Sequence, residues 1–105
     1  RVVDLEERGP AEMLLALALI HHLAIGANVL LGMIAEYFRK LCNWAVVEFV
    51  PKSDAQVERL LATRQDVFPR YTQEDFETEF GAFFEIQSVN RIVNSERTLY
   101  LMRGK

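Results

Sequence analysis

Residues 15–31 read LALALIHHLAIGANVLL, and from Met13 to Ile34 the chain carries no charged residue. A run of about 20 apolar residues is long enough to cross a bilayer. Against a span stand His21 and His22, which would lie near mid-membrane, and the turn signal Gly26-Ala27-Asn28, both costly in hydrocarbon. The run therefore divides. MLLALALI, residues 13–20, follows Gly9-Pro10 and reads as a short continuous apolar strand, as expected of one buried on both faces of a parallel sheet. The histidines then mark its end. After the turn, Val29, Leu30, Met33, Ile34, Tyr37, Phe38 and Leu41 recur at helical spacing, with Arg39 and Lys40 in the last turn and Asn28 placed to cap the start.

The rest of the chain continues the alternation. WAVVEFVP, residues 44–51, is a second apolar, β-branched run stopped by proline, hence another buried strand. Glu48 lies inside it, and a buried carboxylate must pair or face a cleft. Ser53 or Asp54 caps a short helix whose inner stripe is Val57, Leu60 and Leu61. A charged connector from Arg64 to Arg70 leads to a helix capped by Thr72, with Phe76, Phe80, Phe83 and Phe84 on one core-facing side. FFEIQSVNRIV and RTLYLMR close the chain as strands separated by Asn94-Ser95-Glu96, a link short enough to force an antiparallel hairpin. The order strand, helix, strand, helix, helix, strand, strand predicts an α/β fold: parallel strands with a terminal antiparallel hairpin.

Composition narrows the function. The chain has 105 residues, half of them hydrophobic, which fits one domain, and its net charge is -3. No basic stripe is available to neutralise a phosphate backbone, so no nucleic-acid partner is expected. No membrane partner is expected either. One cysteine, Cys42, without a CxxC or Cys/His cluster, points to a reducing, cytoplasmic setting. A zinc site on His21 and His22 is disfavoured, since neighbours on a strand point to opposite faces and no third ligand is spaced nearby. No metal is expected.

The segments LALALIHHL and VVEFVPK, with the terminal hairpin, make most of the chain resemble the C-terminal half of a class I S-adenosylmethionine-dependent methyltransferase, in a nodulation-related subgroup. The resemblance implies the C-terminal part of a Rossmann-like sheet, with residues 1–105 a single partial domain. MLLALALI would be its fourth strand, WAVVEFVP the fifth, and the last two runs the sixth and seventh. It also implies that backbone at Ala18, Leu19 and Ile20 touches the methionine end of the cofactor. The histidine pair would face cofactor or acceptor, with His21 or His22 as base. One departure matters: the glycine-rich loop and the ribose-binding acid of that family have no counterpart here, because Gly9, Gly26, Gly32, Gly81 and Gly104 are too dispersed. Those elements are expected upstream of Arg1, and this fragment alone is expected to be inactive.

Ligands in open α/β sheets bind beyond the carboxyl ends of the strands, which places Glu48 and Lys52 beside the histidines, either ion-paired or lining a small-molecule acceptor site. The plainer role for a histidine there is to bond a backbone carbonyl and close the strand end. The competing function is a non-catalytic α/β interaction module, in which a bare sheet edge pairs with another chain, giving a homodimer.

Overall fold

The structure is a computed structural model describing residues 11–62 and 65–105. The Gly9-Pro10 signal and Arg64 lie outside the described residues. Four strands form one mixed sheet in the order β1 (Ala11–Ala16), β2 (Cys42–Phe49), β4 (Thr98–Gly104), β3 (Phe84–Arg91). β1 and β2 are parallel, with Met13 opposite Trp44 and Leu15 opposite Val46. β4 runs antiparallel to both its neighbours, so the closing hairpin contributes the sheet's antiparallel strand, as its short link requires. Asn94, at φ 60, takes the left-handed conformation in that link, a place where asparagine is tolerated.

The first strand is shorter than the apolar run. It stops at Ala16, residues 17 and 18 bend, and His22–Gly26 form a single π turn. Ile20 and His21, which lead into that turn, are fully buried, so the end of the apolar run belongs to a packed connection and not to four more strand residues. Helix α1 (Leu31–Leu41) follows. Its start differs from the Asn28 cap expected: Asn28 is left-handed at φ 56, and Leu30 occupies the cap position with no side-chain bond. The buried stripe is Leu31, Ile34, Ala35, Phe38 and Leu41, whereas Leu30, Met33 and Tyr37 face outward. Two apolar stripes fit the spacing, and packing against the sheet selects the one with the small Ala35.

Helix α2 (Ala55–Leu61) begins at Asp54, whose carboxylate accepts the Gln56 N–H, and α3 (Gln73–Gly81) begins at Thr72, whose hydroxyl accepts the Asp75 N–H. Both caps are those the sequence predicts. Phe76 and Phe80 are fully buried between α1 and the sheet, Phe83 packs at the margin of the core, and Phe84 has passed into β3. Phe76 lies within 4.5–5.1 Å, centroid to centroid, of Phe80, Tyr100 and Phe49. Alternate strand residues Ala45, Val47, Phe49, Tyr100 and Met102 supply the floor of this core. Their neighbours Trp44, Val46, Leu99 and Leu101 point to the opposite side. Among the described residues no helix covers that side, and the apolar Met13 and Leu15 of β1 are exposed on it.

Candidate site at the strand tips

β1 and β2 release their loops at the same end of the sheet, the end where open α/β folds bind ligands. Beyond β1 the chain turns through Ala18, held at φ 53, an arrangement that costs a non-glycine residue roughly 1–2 kcal/mol. The Ala18 N–H donates to Glu48 Oε1 at 2.6 Å, a charge-assisted bond that offsets the strain. Glu48 is 7 % exposed, near the end of β2, so this bond ties the two strand tips together.

Glu48 has a cationic partner, Arg97, from the residue before β4, with Nη1 at 3.4 Å. The same guanidinium grips Asp54 more closely, at 2.8 Å through Nε and 3.2 Å through Nη2. That hydrogen-bonded cation holds the Asp54 carboxyl below its ordinary range. Asp54 in turn caps α2. One arginine thus joins β2, α2 and the hairpin. Lys52 points elsewhere: its ammonium pairs with Asp66 at 2.9 Å and donates to the Phe68 carbonyl at 2.7 Å, fastening the loop before α3. In place of the expected Glu48–Lys52 pair stand Glu48–Arg97 and Lys52–Asp66.

His21 is fully buried beside this network. Its Nε2 lies 3.2 Å from Gln56 Oε1, so the proton sits on Nε2. Nδ1 keeps a buried lone pair with no hydrogen-bond partner among the described residues. Burial, and then the charge of His22, lower the pKa of His21, against the opposing pull of Gln56. A neutral ring at pH 7 follows. His22 is exposed, and its ring lies 4.2 Å from that of His21, tilted by 37°. Leu19 accepts the N–H groups of His22 and Leu23 through its carbonyl, and Ile20 is buried in the core. On the far side of β2 the Tyr71 hydroxyl donates to the Val50 carbonyl.

The structure therefore gathers Ala18, His21, His22 and Glu48 at one end and sends Lys52 to a different contact. It adds Arg97, Asp54 and Gln56 to the cluster. The buried Glu48 signalled that some partner was needed, but a partner 49 residues distant leaves no mark in local spacing.

Fold and cluster define an α/β protein with a polar network at the carboxyl ends of two parallel strands. Nodulation protein NoeA of Rhizobium meliloti (strain 1021) is similar to this chain, 39% identical over 93 residues, a match covering 89% of the chain and 20% of NoeA. The chain spans about a fifth of the length of that curated relative. No family model and no solved structure matches the chain.

Proposed function

We propose that the chain is the C-terminal part of an S-adenosylmethionine-dependent methyltransferase domain acting on a small-molecule acceptor. The observation that carries this reading is the meeting of the Ala18–Ile20 turn, the buried imidazole of His21 and Glu48 where parallel β1 and β2 end, in a sheet closed by an antiparallel hairpin. In such a domain the bound cofactor supplies an electrophilic methyl group. The chain's own part is to shape the turn at Ala18–Ile20 that receives the methionine end, with Glu48 fixing the Ala18 amide before any ligand arrives. His22, exposed beside the buried ring of His21, is the imidazole that an acceptor can reach and that could take its proton. His22 covers one face of that ring. A glycine-rich cofactor loop and a ribose-binding carboxylate have to come from other sequence.

The test is calorimetric titration of S-adenosylmethionine into this chain expressed with the coding sequence that flanks it. Saturable binding that weakens in the Ala18→Pro variant supports the reading, because proline removes the donated N–H and forbids the left-handed turn. A flanking glycine-rich loop combined with no binding would overturn it. The second reading, an interaction module, is favoured by the position of β1 at the edge of the sheet among the described residues. It requires a dimer of this chain by sedimentation velocity, and a monomer at all concentrations removes it.

A further inference from the structure

We infer that a cavity between the entrance of α1 and the loop before α3 binds a small, neutral, flat apolar molecule, a ligand of fused-ring size. The cavity, open to solvent at its mouth, has a volume of about 260 Å³. Ala24, Val29 and Leu31 form one wall and Phe68, Pro69 and Tyr71 the other. A dry apolar cavity of roughly 150 Å³ holds a benzene, so this one has room for a second ring. None of His21, Glu48 or Arg97 lines it, and the inference stands whether or not the chain takes part in methyl transfer.

Of the polar residues on its walls, Tyr71, Arg70 and Asp75 are already engaged, which leaves Asn28 and Glu79 and sets the ligand's character. The Tyr71 ring stacks on Phe49 at 5.2 Å and its hydroxyl donates to Val50, so it offers the cavity only carbon. Arg70 at the rim is bound by Asp75 at 3.1 and 3.2 Å. Glu79 lies across the uncapped first turn of α1, so close that a Cβ on Gly32 would stand 2.5 Å from its Oε1. The positive end of the helix stabilises that carboxylate. With arginine neutralised and Glu79 left as the charge at the mouth, an anion is repelled and a neutral ring is admitted.

Titration of indole into the ¹⁵N-labelled chain, followed by amide chemical shifts, tests this. Saturable shifts confined to Ala24, Val29, Gly32, Phe68 and Tyr71 are expected. Indole-3-carboxylate should bind about tenfold more weakly, the effect of a second carboxylate near Glu79 in partly screened surroundings. Val67 lines the mouth and is 60% exposed, so Val67→Trp fills the cavity without touching the core, and it should abolish the shifts while leaving the spectrum folded. Shifts that are absent, that gather at Met13 and Leu15, or that persist unchanged in Val67→Trp would overturn the inference, as would equal binding of the carboxylate.

Discussion

Glu48 and His21 show how much depends on single side chains when polar groups are buried. Glu48 serves two donors, the Ala18 amide and Arg97, and its removal strands the buried amide while Arg97 keeps Asp54. Glu48→Ala should therefore cost about 2–3 kcal/mol in urea unfolding, the range for losing a charge-assisted bond and leaving a buried donor unpaired. Glu48→Gln keeps an acceptor for Ala18 and should cost roughly half as much. Equal losses would show that the Arg97 pair, and not the strand-tip tether, carries the effect. The pH dependence of His21 has the same sense as that of the acids but lies at higher pH. Its folded pKa is lowered from 6.5, chiefly by burial, so between that value and 6.5 the unfolded chain binds more protons than the folded one. Stability must fall as pH drops below about 6.5, and it levels off once the folded ring is protonated too. Asp54, lowered by Arg97, adds a separate loss beginning near its ordinary 3.8 and finishing below its folded pKa. Thermal melts from pH 7 to 5 should show the first loss in the parent chain and a flatter profile in His21→Leu.

Helix α1 shows which features an element leaves in sequence and which it does not. Alternating strands and helices, two of the three helix caps and the closing hairpin were all legible, because turn chemistry and capping act within four residues of their cause. The end of β1 was not legible: Leu17, Ala18, Leu19 and Ile20 extend the apolar run, yet they form a bend and a buried turn, and hydrophobicity reports burial without reporting φ and ψ. The buried side of α1 was only partly legible, since Leu30, Met33 and Tyr37 are as apolar as the stripe that packs. The start of α1 differs from its sequence signal because Asn28, a good cap by type, is used for its left-handed tolerance instead. That use leaves a vacancy with an energetic consequence. Leu30 sits at the cap position in extended conformation (φ -64, ψ 142), 69% exposed, with no side-chain bond to the first turn. Leu30→Ser should supply that bond and raise stability by about 0.5–1 kcal/mol, read as a higher melting temperature. A lower one would mean that Glu79, already lying across this turn, occupies the place a cap would take.

At the scale of the molecule the sheet has two unlike faces. Helices and the aromatic cluster cover one, while on the other the paired rows Met13–Trp44–Arg103–Glu85 and Leu15–Val46–Leu101–Ser88 run from apolar at β1 to polar at β3. Parallel sheets are ordinarily covered on both faces, which explains why β1 and β2 read as continuous apolar runs although only alternate residues are packed here. The strand-tip cluster depends on this register, because a one-residue slip of β1 would exchange its faces and carry Ala18 away from Glu48. Adjacent lysines test it. Leu15 is 65% exposed, so Leu15→Lys should shift the urea midpoint by no more than about 0.5 kcal/mol. Ala16 is 1% exposed against the core, and Ala16→Lys should cost about 3 kcal/mol or more, the penalty of an uncompensated buried charge. Equal costs would mean that β1 is packed on both sides, and a reversed order would mean that it is paired one residue out of register. That reversed order would break the link between Ala18 and Glu48 on which the strand-tip site stands.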